Sequence, residues 1–415
     1  MAAAVVVGRK QKGKSVPSSM LPSVSTGLAG GLPLPLPPSL FERLPDFSAI
    51  GSLSDTPDFD LFRPRRDRKK LRIANFIGLS GTPGIWGPAS INTTLLAVSE
   101  INRRGGILGR EIEVTFHDTG GDIGEVVENA ADIVASDEAD LIMGSHISAV
   151  RVALREVVAG RIPYIYTPVY EGGERTPGVM AIGETPRGQS LPTIQWLAEV
   201  KRAQRWYLIG SDYVWPWLSH RAVKRYIAAS GGRVVGEEFV PMGQHDHEAH
   251  LARIKQAKPD VVLVSLIGTN SIIFNRAFAE HGLASRMLRL VGAMDETVLL
   301  GIGAENAENV YCSSGYFADQ ASRDNDAFRD RYETAFGRQA PPVGSVAQSN
   351  YEGLKFLEAV AARAGTLEVG PLLAAAKNTT YCGARGEIAI RNRGAQMPIY
   401  LAEAAGLDFE VIKTF

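Results

Sequence analysis

The sequence predicts an α/β protein of two lobes, each built on a parallel central sheet with helices on both faces. Three observations predict it. From Leu71 onward, short runs nearly continuous in Val, Leu and Ile alternate with amphipathic stretches of helical length. The chain has 415 residues, more than a single hydrophobic core usually serves. A cluster of polar and aromatic residues follows each apolar run, where ligands bind in open parallel sheets.

Residues 1–70 are rich in Pro, Ser and Gly and end in the charged run RPRRDRKK. They read as a flexible N-terminal extension with one short helix near FERL and a solvated boundary. LRIANFIGL is the first strand and SGTPG the turn after it. A helix from about Pro88 to Arg103 places Ile91, Leu95, Val98 and Ile101 on one stripe, and Gly105 and Gly106 stop it. IEVTFHD is a strand. The helix from about Asp122 to Ser136 turns Val126, Ala130 and Ile133 inward. ADLIMGS is a strand, Ser148 to Ala159 a helix, and IPYIYTP a strand. Past Pro186 the rhythm repeats. Ile194 and Leu197 sit in a helix, RWYLIGSD is a strand and Leu218 to Ala229 a helix. GRVVGEEFVP is a strand, Leu251 to Gln256 helical, PDVVLVSLIG a strand, and Ser271 to His281 a helix ended by Gly282. Arg323 to Ala335 and Gln348 to Ala364 supply two more helices, and PIYLAEAAGLDFEVIKTF two antiparallel strands turning at Gly406. The expected lobes are 71–186 plus 319–395 and 187–318 plus 396–415. Crossovers near Pro186, Phe317 and Met397 form a three-segment hinge.

Composition excludes several functions. With 44 basic and 45 acidic residues the net charge is -1, which gives no pull on nucleic acid. No apolar run reaches the roughly 18 residues of a spanning helix, so no membrane insertion is expected. Cys312 and Cys382 read as unpaired thiols in a reducing compartment, with a single bridge as the alternative. Arg9, Lys10, Lys12 and Lys14 precede a proline-broken stretch with no uniform apolar core, no clean A-x-A site and no lipid-anchoring cysteine. That favours a cytoplasmic location over export. DTG at 118–120 has no second copy, as paired catalytic carboxylates would require. His245, His247 and His250 lack a metal-protease spacing and read as an exposed loop and helix start. No nucleophile elbow, phosphate loop or dinucleotide fingerprint follows a strand. No catalysis, metal or cofactor is expected.

The clusters beyond the strands are SGTPGIW (80–86), GSHIS (144–148), YTPVYEG (166–172), GSDYVWPW (210–217), IGTNS (267–271) and GAMDE (292–296). Two facing lobes would gather them around one cleft. With EINRRGGILGREIEV, DTGGD, GGRVVGEEFVPMG and AKPDVV, they resemble the amide- and urea-binding branch of the type I periplasmic binding protein family. The resemblance runs from about Leu71 to the C-terminus and is nearest the cytoplasmic amide sensors that negatively regulate an aliphatic amidase operon. It implies two Rossmann-like lobes that close on a small solute without turning it over.

By that resemblance the ligand is held by Ser148, by Tyr166, Thr167 and Tyr170, by Tyr213 and Trp215, by Ser80 and Thr82 of the first loop, and by Asp295 of the second lobe. His146 and Pro168 depart from the amide sensor's pattern. Hydroxyls of Ser148, Thr167 and Tyr213 can donate to and accept from an amide, while Trp86, Tyr166, Tyr213 and Trp215 offer aromatic faces. Each residue also has a structural reading: Trp86 and Tyr166 as core, Ser148 as a helix cap, Tyr170 as a loop stiffener, His146 as structural. The implied function is a cytoplasmic sensor of a small amide or urea-like solute acting on a regulator protein, with possible homo-oligomerisation. The alternative is the receptor of an ABC importer for urea, short-chain amides or branched-chain amino acids, with a permease as partner.

Overall fold

The computed structural model describes residues 69–391 and 394–415. The expected extension, its short helix and most of the charge run lie outside the described residues.

The chain opens with β1 (Lys70–Ile77) and a 3-10 turn (Thr82–Trp86). There follow α1 (Gly87–Arg103), β2 (Glu111–Asp118), α2 (Ile123–Ala135), β3 (Leu141–Ser145), α3 (Ser148–Val158), β4 (Tyr164–Tyr166) and β5 (Val179–Ala181). These strands make a five-stranded sheet of order β2-β1-β3-β4-β5, parallel throughout. Next come α4 (Pro186–Val200), β6 (Arg205–Ser211), α5 (Val214–Ala229), β7 (Arg233–Val240), α6 (Glu248–Ala257) and β8 (Val261–Ser265). The same alternation continues through α7 (Gly268–Glu280), β9 (Leu288–Val291), α8 (Glu296–Ile302) and β10 (Val310–Ser314). The chain then adds α9 (Arg323–Phe336), α10 (Ser345–Ala364), α11 (Val369–Ala376), and β11 (Thr380–Gly383), β12 (Gly386–Arg391) and β13 (Gly394–Gln396). It ends in the hairpin β14 (Tyr400–Ala405) and β15 (Asp408–Thr414). The second sheet has seven strands in the order β15-β14-β10-β9-β8-β6-β7. Its strands β6 to β10 run parallel, and β14 is antiparallel to both β10 and β15.

The central strands of both sheets are buried on both faces, which is why β3, β6 and β8 read as near-continuous apolar runs, while the edge strands β2 and β7 carry exposed or half-buried polar residues. On the first sheet, Ile73, Leu141, Met143 and Ile165 pack under α1, α10 and α11, while Ala74, Phe76 and Ile142 pack under α2 and α3. On the second, Leu208, Val261 and Leu263 meet Ile194 and Leu197 of α4 and Val223 and Ile227 of α5. Its other face meets α6, α7 and α8 through Leu251, Phe274, Phe278 and Val298.

Val126, Ala130 and Ile133 are buried as the spacing predicts. On α1 the buried arc is wider than the predicted stripe. Leu96, Ala97, Val98 and Ile101 are buried, and Ile91 and Leu95 only half-buried. The cause is double coverage: α1 lies between its sheet and α10, so more than one stripe is enclosed. The small antiparallel sheet β11-β12-β13 was not foreseen from the sequence. Cys312 is buried, Cys382 is exposed, and both are free thiols. His247 is buried edge-on against Phe274 rather than exposed in its loop. Among the described residues no helix is long and apolar enough to cross a membrane, and no cluster of His, Cys, Asp and Glu could hold a metal.

Candidate functional site

A parallel sheet opens a crevice where neighbouring strands send their crossovers in opposite directions. In the first sheet that point lies between β1 and β3, in the second between β6 and β8. One cavity of about 520 Å³ draws walls from the carboxyl ends of all four strands. Gly78, Pro83 and Trp86 follow β1, and Ser145, His146, Ile147 and Ser148 end or follow β3. Tyr213 and Trp215 follow β6, and Ile267 follows β8. Tyr166 of β4, Ala293 beyond β9 and Val346 of α10 complete much of the wall. The cavity therefore lies between the lobes.

Its polar character comes mainly from backbone. Helices α3, α5 and α7 start at this cavity, with Ile147, Tyr213 and Ile267 in their N-cap positions, and none has a side-chain cap. Side-chain caps occur on α2, α8 and α9, from Asp122, Asp295 and Ser322, while α1, α4, α6, α10 and α11 lack one as well, so what distinguishes α3, α5 and α7 is their convergence on one cavity. An uncapped helix start leaves N–H groups unpaired and carries partial positive charge. Ser148 adds a buried hydroxyl at the first position of α3, with Ser145 beside it. No Asp, Glu, Lys or Arg side chain lines this cavity.

Of the eleven residues expected at the site, Trp86, His146, Ser148, Tyr166, Tyr213 and Trp215 line the cavity. His146 faces it as a neutral ring. Burial drives its pKa down to about 3, and its nitrogens lie 2.9 Å from the Tyr164 hydroxyl and 3.1 Å from the Ile147 carbonyl. The Tyr166 hydroxyl donates to the His146 carbonyl at 2.8 Å. Tyr213 and Trp215 stand 6.3 Å apart, tilted by 36°. Trp86 crosses the cleft to pack with them in the second lobe's core.

The other five are held elsewhere by identifiable partners. The Ser80 hydroxyl donates to Asp118 at 2.5 Å. Thr82 sits across from Asn270, 3.5 Å between side-chain oxygens, outside the cavity wall. The Thr167 hydroxyl pairs with that of Ser349 at 2.8 Å. Tyr170 turns away to stack under the Arg151 guanidinium, which also grips Glu171 and Glu174. Asp295 caps α8 through the Val298 N–H and accepts the Trp86 indole N–H. Seven further wall residues lay within the quoted clusters without being expected to hold the ligand, namely Pro83, Ser145, Ile147, Pro168, Val169, Ile267 and Ala293. Ser90 and Val346 carried no sequence signal; Val346 arrives from about 200 residues past Ser145.

Residues 70–407 match the family model described as periplasmic binding protein. The Leu/Ile/Val-binding protein BraC3 of Rhizobium johnstonii is 25% identical over 242 residues, 57% of this chain, and the match spans 63% of that protein's length. Among solved structures, a solute-binding protein of an ABC transporter from Rhodopseudomonas palustris BisB5, in complex with 3,4-dihydroxybenzoic acid, superposes with a TM-score of 0.74 at 23% identity. That alignment covers 84% of this chain and 97% of that one. One from Rhodopseudomonas palustris HaA2, in complex with p-hydroxybenzoic acid, gives 0.75 at 19% identity over 83% and 97%. The leucine-binding protein of Thermotoga maritima gives 0.73 at 17% identity over 83% and 98%.

These findings correct the resemblance drawn from sequence. The matched family is periplasmic, and the relatives named above are binding proteins for amino acids or solute-binding proteins of ABC transporters rather than amide sensors, which overturns the cytoplasmic location, the regulator partner and the amide or urea specificity. The misleading motifs have a physical explanation: they build scaffold. In DTGGD, Asp118 accepts the N–H groups of Leu79, Ser80 and Gly120. In EINRRGGILGREIEV, Gly106 takes a positive φ of 75° where a Cβ would strike the Arg110 backbone. Such turns are needed whatever ligand is bound. Members of the family bind solutes without catalysis, as expected from the sequence. The two-lobed α/β fold with parallel central sheets is that of type I periplasmic binding proteins, and the chain belongs to the periplasmic binding protein family.

Proposed function

We propose that the protein is the extracytoplasmic solute receptor of an ABC importer and that its solute is a small aromatic monocarboxylate. The observation that carries the ligand class is the meeting of three uncapped helix starts with four aromatic side chains in one cavity free of charged side chains. The carboxylate is received by the α3 N–H groups and the hydroxyls of Ser148 and Ser145, a donor set suited to one negative charge. The ring lies among Trp86, Tyr166, Tyr213 and Trp215. Solved relatives bound to benzoate and hydroxybenzoates support the same class.

A branched-chain amino acid is the second reading, favoured by the similarity to BraC3. Its ammonium would need an acceptor beside the carboxylate, because both groups sit on one carbon. No acidic side chain lines that part of the cleft. Lobes of 71–186 plus 319–395 and 187–318 plus 396–415 fit the division between the two sheets. On this reading the closed pair is what the permease receives. Calorimetric titration of benzoate and L-leucine in parallel is the test. Benzoate binding at micromolar concentration with leucine silent supports the aromatic acid. Leucine binding with benzoate silent replaces it.

A further inference from the structure

A second compartment of about 330 Å³ adjoins the main cavity and shares with it a wall of Pro168, Val169, Ala293 and Val346. The polar side chains beyond that wall differ from those before it. Ser145 and Ser148 line the first compartment, whereas Glu184, Gln189, Ser314 and Ser345 line the second. The two polar ends are thus joined by an apolar middle. We propose that the second compartment recognises a hydroxyl group on the ligand at the end remote from its carboxylate, so that the preferred solute is a hydroxylated aromatic acid. This inference rests on the aromatic-acid reading and deepens it.

The hydrogen-bonding inventory supports a donor from the ligand. Gln189 spends its amide N–H groups on the carbonyls of Gly292, at 3.0 Å, and Ser313, at 2.5 Å. Its amide oxygen is left as an acceptor. Glu184 is almost enclosed, with a side-chain exposure of 8%. Its Oε1 accepts from the Arg385 guanidinium at 2.6 Å and from the Gly315 N–H at 3.1 Å. No hydrogen bond among the described residues uses its Oε2 or the Ser345 hydroxyl, although both residues line the compartment. Two acceptors and one hydroxyl with unused hydrogen-bonding capacity in one compartment form a set that can receive an O–H donor. An α-amino acid does not fit this pattern: its ammonium and carboxylate are on one carbon and cannot straddle the apolar wall.

The test is calorimetric titration with benzoate, 4-hydroxybenzoate and 4-methoxybenzoate, on the wild-type protein and on Ser345→Val. The phenol should bind about tenfold tighter than benzoate, and the methoxy compound, which keeps the oxygen but donates nothing, should lose that gain. In Ser345→Val the preference for the phenol over benzoate should collapse. If benzoate binds but the phenol is no tighter, or the methoxy compound matches it, the second compartment is not a hydroxyl site and the aromatic-acid reading survives alone. If the phenol's advantage in the wild-type protein is undiminished in Ser345→Val, the inference is likewise overturned. If none of the three compounds binds, the aromatic-acid reading falls and takes this inference with it.

Discussion

The indole Nε1 of Trp86 donates to Oδ1 of Asp295 at 3.0 Å, joining the loop after β1 to the loop after β9 across the cleft. Both residues are buried, and burial pushes the Asp295 carboxyl up while the indole N–H favours its charged form. Removing one partner of a buried hydrogen bond costs about 1–3 kcal/mol, because the other is left enclosed and unsatisfied. Because the bond spans the cleft, an opening that parts these two loops breaks it, which would shift the open–closed equilibrium by about that amount.

Trp86→Phe keeps an aromatic wall but removes the donor. Ligand affinity should fall tenfold or more, roughly the equilibrium value of the lost bond. Small-angle scattering of the ligand-free variant should also show a larger radius of gyration. Unchanged scattering and affinity would remove this bond from the closing motion.

The same closure can be blocked by a single methyl group. Gly268, at the start of α7, has a φ of 50° and faces Thr82 of the opposite loop so closely that a Cβ would run into the Thr82 carbonyl oxygen. Gly268→Ala should leave each lobe folded, with unchanged far-ultraviolet circular dichroism. The protein should no longer contract on adding ligand, and affinity should drop by more than the roughly 1 kcal/mol that a left-handed alanine costs alone. Normal contraction would mean that the two loops separate enough in solution to admit the methyl.

How much of this was legible in sequence depends on how local the signal is. Strand and helix rhythm is local, so β1 to β4, β6 to β8 and the helices among them could be read directly, whereas the three-residue β5 was not. The six cavity residues that were foreseen share one property: each directly ends or closely follows a strand, where the fold rule points. Thr167 and Tyr170 satisfy the same rule but are taken by Ser349 and Arg151, partners that no local pattern reveals. Val346, and with Glu184 the second compartment, depend on chain segments that meet only in three dimensions. The ligand class was misread because the most distinctive motifs are turns whose side chains serve the backbone.

Glu296 gives the protein a pH dependence of known sign. Burial lifts its carboxyl from the ordinary 4.5 to about 8, and the neighbouring Asp295 pushes the same way. Its Oε1 accepts the Ala318 N–H at 2.6 Å, and its Oε2 is buried without a partner. A carboxyl that holds its proton more tightly folded than unfolded favours the fold when protonated. That contribution is complete below pH 4.5 and is lost as pH rises through about 8. Urea denaturation should therefore show stability declining by up to a few kcal/mol from about pH 5 to about pH 9. Glu296→Gln should flatten that decline. A slope unchanged in the variant would assign it to other groups.

Arg385 should be costly to remove, because its guanidinium ties together, directly or through Glu184, the segments that pass between the two large sheets. It bonds Glu184 ahead of α4 and Met397 ahead of β14, and Glu184 in turn accepts the N–H of Gly315 just past β10. Its other terminal nitrogen pairs with Glu352, which is buried in α10. Arg385→Met would leave two carboxylates enclosed without a cation. Breaking a buried pair from one side typically costs about 3–5 kcal/mol, most of it the desolvation of the stranded partner. Urea unfolding of Arg385→Met should show a loss of that size. Combining it with Glu184→Gln and Glu352→Gln should restore much of the loss, since no charge is then left buried. A loss that persists in the triple variant would mean that Arg385 stabilises the crossovers by packing, not by charge.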